Sequence, residues 1–133
     1  MSIAVADTHA IIWFLSNDKR LSVKAKQFMD EAEKQDQKIA ISSISFVEMV
    51  YLIEKGKIPS GLFSQLVREI REPDSVFAEI PVNIAIARAM SKVSSVEVPD
   101  MPDRIVAATA VELNVPVISR DGKIQLSSIA TIW

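Results

Sequence analysis

The chain of 133 residues contains no cysteine, a single histidine and only three glycines. The absence of cysteine excludes disulfide bonds and thiolate metal sites, and it favours an intracellular protein. No apolar run approaches the roughly 18 residues that a membrane span requires. The first residues also lack the basic segment that opens a signal peptide. We therefore expect a soluble, cytoplasmic protein that has no membrane partner.

Neither sign of charge dominates, since 15 Lys and Arg stand against 17 Asp and Glu for a net charge of -2. This balance argues mildly against a nucleic-acid partner. The net charge is a poor guide to nucleic-acid binding if several of the acids bind cations, because the electrostatic field around a bound cation is positive whatever the overall charge. The hydrophobic content of 49% suits one domain over residues 1–133 with a large core, and it leaves room for an apolar surface that binds a partner.

Short apolar runs alternate with helical patterns along the chain. The first run, Ile3 to Ala6, is too short for a helix and lacks polar alternation, which is typical of a strand buried on both faces of a parallel sheet. Further strands are predicted at 38–42, 115–119 and 129–133, with 76–80 either a strand or an extended connector. Helices are predicted at 8–17, 22–35, 45–55, from 60 to Pro73, from Asn83 onwards and at 104–113, with a turn at 121–122. This order predicts an α/β fold with a central parallel β-sheet flanked by helices on both faces.

Four carboxylates fall where these strands end. Asp7 ends the first strand, and Glu48 lies one turn into the helix after the second. Asp103 opens the helix before the fourth strand, and Asp121 follows that strand. Parallel strands end at one edge of the sheet, and that edge is where open α/β sheets bind ligands. The four acids are therefore expected to share a site.

Each acid also has an ordinary structural interpretation. Asp7 and Asp100 are good helix N-caps. Glu48 could complete a capping box with Ser45, and Asp121 stands before a glycine in a common turn pair. A shared site explains all of these positions together, whereas the structural interpretation needs a separate reason for each.

Clustered carboxylates repel one another by about 4 kcal/mol per pair at ~4 Å and an effective dielectric near 20. Such a cluster therefore takes up protons or binds cations. Oxygen ligands without His or Cys select hard cations such as Mg²⁺ or Mn²⁺, which substrate phosphate usually completes. The chemistry that this combination favours is the hydrolysis of a phosphate ester.

Four stretches, taken in order and spacing, carry a family resemblance. They are Asp7-Thr8-His9 with Trp13, Ser45-Phe46-Val47-Glu48, the run Asp100-Met101-Pro102-Asp103-Arg104 with its small-residue continuation to Ala110, and Ile118-Ser119-Arg120-Asp121. Over essentially the whole chain this pattern resembles the PIN-domain ribonucleases, and among them the VapC-type toxins of toxin–antitoxin pairs. The resemblance implies a PIN fold, a Mg²⁺- or Mn²⁺-dependent endoribonuclease acting on RNA, and a cognate antitoxin that inhibits it.

The resemblance also assigns roles to individual residues. The catalytic acids are Asp7, Glu48, Asp103 and Asp121, of which Asp7, Asp103 and Asp121 are metal ligands and Glu48 is a ligand or a water positioner. Asp100 is a candidate accessory ligand, and Pro102 stands where the family more often has an aromatic residue, so the division of roles between Asp100 and Asp103 stays open. Candidate substrate-binding residues are Arg104, Ser119 and Arg120.

Apolar residues on the first helices and from Leu62 to Ile70 are predicted to serve homodimerisation and antitoxin docking. Trp13 is predicted to lie in the core, and Lys19, Arg20, Lys24 and Lys26 to form a solvated helix face. Two other functions stay open. One is a Mg²⁺-dependent phosphatase with an aspartyl nucleophile, although His9 stands where such enzymes need a second Asp. The other is a non-catalytic binding module whose acids only cap helices.

Overall fold

Five strands form one parallel sheet in the computed structural model, which describes residues 1–133. The strands are β1 (Ser2–Ala6), β2 (Lys38–Ser42), β3 (Phe77–Ile80), β4 (Val117–Ile118) and β5 (Thr131–Ile132). Their order across the sheet is β3-β2-β1-β4-β5, and every neighbouring pair is parallel. The predicted α/β fold with a central parallel sheet is confirmed, and the segment after Pro73 forms a true strand.

Seven helices surround this sheet. They are α1 (Thr8–Leu15), α2 (Val23–Lys34), α3 (Ser43–Glu54), α4 (Gly61–Ile70), α5 (Ile84–Ala89), α6 (Met101–Leu113) and α7 (Gly122–Leu126). A short 3₁₀ turn, Met90–Lys92, extends α5. None of these helices combines the length and the apolarity needed to cross a bilayer.

The central strands supply side chains to two separate cores, because successive strand residues point to opposite faces. Ala4 and Ala6 join a buried cluster that includes residues of α1, α2 and α4. Val5, between them, joins a second cluster with residues of α5 and α6. Helices therefore cover both faces of the sheet, as predicted, and this explains why β1 is apolar without alternation.

Polar side chains begin several helices where the sequence predicts a cap. The Ser22 side chain accepts a hydrogen bond from the Ala25 N–H at 3.0 Å. The Asn83 side chain accepts one from the Ile86 N–H at 3.2 Å. At the other end of α6, Asn114 adopts a left-handed conformation with φ of 55°, which Asn tolerates better than most residues.

The beginning of α3 differs from the prediction. Ser42 is the N-cap and its side chain accepts a hydrogen bond from the Ile44 N–H at 3.2 Å. Ser45 consequently lies inside the helix, and the predicted capping box between Ser45 and Glu48 is wrong. Both side chains are free for contacts outside their own helix.

Three further elements differ from the prediction. Helix α6 begins at Met101 rather than at Arg104, because Pro102 is compatible with the first turn, where its missing N–H would be unpaired in any case. The turn predicted at Asp121 is wrong, since Asp121 is the N-cap of α7. Strand β4 is shorter than predicted, and Pro116 before it cannot donate to a neighbouring strand.

The strand order reverses between β1 and β4. The chain proceeds from β1 to β2 and β3 on one side, and it places β4 and β5 on the other. The Asp7 N–H donates to the Ile118 carbonyl at 3.1 Å, which fixes the ends of these two strands side by side. Loops that leave such a pair part in opposite directions and open a crevice at the carboxyl edge.

Candidate active site

A cleft of about 770 Å³ opens at this switch point, and only one of its lining residues is hydrophobic. It brings together all five acids singled out from the sequence, namely Asp7, Glu48, Asp100, Asp103 and Asp121. The rest of the lining consists of Thr8, His9, Trp13, Arg20, Arg120, Gly122 and Lys123. The acids come from β1, α3, α6 and the loop after β4, so the fold assembles them from distant parts of the chain.

Asp7 combines two roles that the sequence presented as alternatives. Its Oδ1 accepts a hydrogen bond from the Ala10 N–H at 2.8 Å and so caps α1, while the residue also lines the cleft. Burial, with 8% of the residue exposed, raises the Asp7 pKa above its ordinary value, and Asp121 adds to the rise. The Ser119 hydroxyl, the Ala10 N–H and the charge of His9 act in the opposite direction.

Glu48 is held by a hydroxyl of α1. The Thr8 hydroxyl donates to Glu48 Oε1 at 2.5 Å and is also hydrogen-bonded to the buried Ser45 hydroxyl at 2.9 Å. Burial raises the Glu48 pKa, and the Thr8 hydrogen bond opposes that rise. This chain of hydroxyls fixes the carboxylate of α3 against the N-terminal end of α1.

The two acids of α6 occupy different places. Asp100 is exposed, and its Oδ2 accepts a hydrogen bond from the Asp103 N–H at 3.2 Å, as predicted for an N-cap. Asp103 is half-buried in the first turn. Burial, followed by the charges of Asp121, Asp100, Glu48 and Asp7, raises the Asp103 pKa to about 7. Of the two, Asp103 is therefore the one that lies in the field of the whole cluster.

Asp121 is fixed by the backbone of α7. Its Oδ1 accepts hydrogen bonds from the N–H groups of Lys123 at 2.9 Å and Ile124 at 3.0 Å. The Ser119 hydroxyl accepts one from the Asp121 N–H at 3.0 Å. Ser119 is fully buried and is not part of the cleft lining, so it shapes the loop that carries Asp121 and has no open face for a substrate.

Arg104 also lies outside the cleft lining. Its guanidinium donates to the Val93 carbonyl at 3.0 Å and to the Met90 carbonyl at 2.8 Å. These bonds tie α6 to the turn after α5. Among the three predicted substrate contacts, the structure therefore places only Arg120 in the cleft.

Sequence reasoning missed two residues of the cleft wall, Trp13 and Arg20. Trp13 is buried, as predicted, with 4% of its surface exposed, yet it also borders the cleft. Arg20 is solvated, as predicted, with 61% of its side chain exposed, but it precedes α2 rather than lying on it and also lines the cleft. The sequence feature that could have indicated the place of Trp13 is its four-residue spacing from His9, which puts both residues on one face of α1. In the structure their ring centroids lie 5.5 Å apart.

The donor set of the cleft fits a hard divalent cation. Its acids offer only carboxylate oxygens, which suit Mg²⁺ and Mn²⁺. The raised pKa values of Asp7, Glu48 and Asp103 show that ionising all of these groups is costly, and a bound cation would offset that cost. No three of the side chains already converge into a ready-made ligand set.

Fold and cleft together define an α/β protein with an acidic cleft at the switch point of a parallel sheet. The model of the PIN domain family matches residues 4–130. The chain therefore belongs to the PIN-domain family, in agreement with the resemblance seen in the sequence.

Known relatives agree with this assignment. Ribonuclease VapC22 of Mycobacterium tuberculosis is 23% identical over 130 residues, which cover 94% of this chain and 92% of that protein. VapBC2 of Rickettsia felis, solved bound to a DNA fragment from its promoter, matches with a TM-score of 0.70 at 16% identity, covering 97% of this chain and 96% of that one. A toxin–antitoxin complex from Klebsiella pneumoniae matches with a TM-score of 0.65 at 24% identity, covering 98% and 96%. These structural matches bear on the fold alone.

Proposed function

We propose that this chain, as a single PIN domain over residues 1–133, is a divalent-cation-dependent endoribonuclease. In this proposal it acts in the cytoplasm as the toxin of a toxin–antitoxin pair. The observation that carries the proposal is that Asp7, Glu48, Asp103 and Asp121 line one cleft at the sheet's switch point. The ribonuclease name of one relative and the antitoxin complex of another support it.

Asp7, Asp103 and Asp121 would hold Mg²⁺ or Mn²⁺ in the cleft, with Asp100 close enough in sequence and space to assist. A cation bound there supplies Lewis-acid polarisation of the RNA phosphate and lowers the pKa of the attacking water. Glu48 keeps one oxygen on the Thr8 hydroxyl, which leaves the other to bind the cation or to accept a hydrogen bond from that water.

The chain's own residues prepare the site in two ways. The N–H groups that bind Asp7 and Asp121 hold each carboxylate in one orientation before any ligand enters. Two basic side chains of the lining, Arg120 and Lys123, lie beside the acids and can contact the RNA backbone, since Arg and Lys are among the groups that bind phosphate oxygens.

Cleavage of RNA by the purified protein tests the enzymatic proposal. A labelled single-stranded RNA is expected to be cut internally in the presence of Mg²⁺ or Mn²⁺, and an excess of chelator is expected to stop the reaction. A DNA strand of the same sequence serves as the matched control substrate. An intact RNA under all of these conditions would favour the non-catalytic module, and a phosphorylated Asp7 trapped with a small phosphate ester would favour the phosphatase.

The apolar surface predicted to bind partners is partly buried. Helix α1 is largely buried, and so are Leu62 and Leu66, so these residues form core. Phe63, Val67 and Ile70 of the predicted 62–70 segment line a groove of about 550 Å³ together with Phe46 and Phe77. The same groove is also lined by the charged residues Lys38, Arg71, Glu72 and Glu79. We propose this groove for the antitoxin. A separate exposed stripe on α3, Val47, Val50 and Tyr51, is proposed for a homodimer.

Coexpression tests both surfaces. The product of a small open reading frame adjacent to the gene is expected to relieve the growth arrest that the chain causes. Phe63→Glu is expected to remove this relief because it places a charge among the aromatic side chains of the groove. Light scattering of the purified complex is expected to give two copies of the chain, and Val50→Glu one. Full relief with Phe63→Glu, or a single copy in the unaltered complex, would contradict the respective assignment.

A further inference from the structure

Two guanidinium groups lie near the Trp13 ring at the wall of the cleft. The Arg120 Cζ is 4.6 Å from the centre of the Trp13 ring, and the Arg20 Cζ is 5.2 Å from it. Both distances are within the range of a cation–π interaction. The ring itself is fixed, because Trp13 is buried and packs at 5.9 Å against Trp133 from the end of β5.

The two arginines differ in what else they bind. Arg20 donates from Nε and Nη2 to the Asp18 carboxylate at 3.1 and 2.7 Å, and these hydrogen bonds lower the Asp18 pKa to about 2. The ion pairs of the protein join Arg20 to Asp18 and Lys26 to Asp30. Arg120 takes part in neither, so its charge and its N–H donors are free beside the acids of the cleft.

A cation–π contact can hold the Arg120 side chain while leaving its N–H donors available for a ligand. A carboxylate partner would neutralise the guanidinium and occupy its donors, whereas an aromatic ring contacts its flat face and leaves the N–H groups at its edge available. Those donors match the two oxygens of a phosphate. The geometry therefore holds Arg120 in place without using the groups that recognise a phosphodiester.

We propose that Trp13 is a positioning residue that holds Arg120 against the cleft wall so that Arg120 binds a backbone phosphate of the RNA. This inference rests on the proposed function for its ligand, since the phosphate is taken to be that of RNA. Arg20 is a second, already neutralised cation on the same ring and contributes little to phosphate binding.

Binding of a fluorescent single-stranded RNA, measured by anisotropy with Mg²⁺ in the Asp7→Asn background, tests this without turnover. Adding Arg120→Ala is expected to raise Kd at least about ten-fold, as for loss of a charged hydrogen bond. It is also expected to reduce the slope of log Kd against log salt by about 0.7, the value for one phosphate contact on a single strand. Arg88→Ala, an exposed arginine on α5, is the matched control and is expected to change neither quantity.

A double-mutant cycle separates positioning by Trp13 from mere packing. Trp13→Leu is expected to raise Kd about two- to five-fold through loss of the cation–π contact, and Trp13→Phe, which retains an aromatic face, is expected to restore most of the affinity. In the Arg120→Ala background, Trp13→Leu is expected to have almost no further effect. Thermal melts confirm that each variant is folded under the assay conditions.

Three outcomes would overturn the inference. The first is an unchanged Kd and an unchanged salt slope in Arg120→Ala. The second is an equal effect of Trp13→Leu on Kd with and without Arg120. The third is a failure of the RNA to bind the Asp7→Asn protein at all. A wild-type protein that binds RNA through Arg120 but never cuts it would refute the proposed nuclease and leave this assignment standing, so the two failures are distinguishable.

Discussion

Asp7→Asn is expected to lower RNA cleavage by at least about a hundred-fold without destabilising the protein. The amide retains an oxygen that can accept the Ala10 N–H, so α1 keeps its cap. It removes the charge that would bind the cation, and loss of a single electrostatic contact at a reacting centre commonly costs 10² to 10³ in rate, as a rough guide. Cleavage rates and urea unfolding of the same preparation measure the two effects.

Two variants serve as controls for this result. Asp36→Asn makes the same chemical change at an exposed position outside the cleft, where φ of 55° is well suited to Asn, and it is expected to leave cleavage unchanged. Asp7→Ala removes the cap as well as the charge, and it is expected to cost about 1 kcal/mol in the free energy of unfolding. Undiminished cleavage by Asp7→Asn would refute the metal-dependent mechanism.

The stability of the cation-free protein is expected to fall as pH rises from about 4 to about 7. The Asp103 pKa is raised from 3.8 to about 7 in the folded state, so in this range the native protein holds a proton that the unfolded chain has released. The stabilisation is therefore complete below the unfolded pKa and is lost as pH rises through the folded one. Melting temperatures with chelator at pH 5 and pH 8 measure this loss, and Asp103→Asn is expected to reduce it.

Addition of Mg²⁺ or Mn²⁺ is expected to reverse this effect at pH 8. A ligand that binds only the folded state stabilises it by about 2.7 kcal/mol at a free concentration one hundred times Kd. The rise in melting temperature is expected to be larger at pH 8 than at pH 5, because protons and the cation compete for the same carboxylates. An equal rise at both values, or an equal rise in Asp7→Asn, would contradict binding in the cleft.

Strands β1 and β2 were predictable from the sequence because both are apolar on both faces, a pattern that a parallel sheet alone explains. The acids were predictable because Asp7 directly follows β1 and Asp121 lies three residues after the end of β4. The beginning of α3 was not predictable, because Ser42 and Ser45 are both good N-caps. Tertiary contacts decide between them, since the Ser45 hydroxyl is hydrogen-bonded to Thr8 of another helix.

The cleft wall was less predictable for a similar reason. Trp13 is a large apolar residue and lies in the core, as such residues usually do. Its contact with the cleft depends on Arg20 and Arg120, which lie 7 and 107 positions away along the chain. Charge patterns on one helix carry no information about such pairs. Likewise, Ser119 and Arg104 are residue types that can contact RNA. Only the folded structure shows that Ser119 is buried and that the Arg104 guanidinium is bound to backbone carbonyls.

The acids of the cleft are contributed by two separate stretches of the chain, Asp7 and Glu48 by the first and Asp100, Asp103 and Asp121 by the last third. Neither stretch alone holds a complete set. For the proposed nuclease this means that a fragment carrying only one of these stretches is expected to lack cation-dependent cleavage.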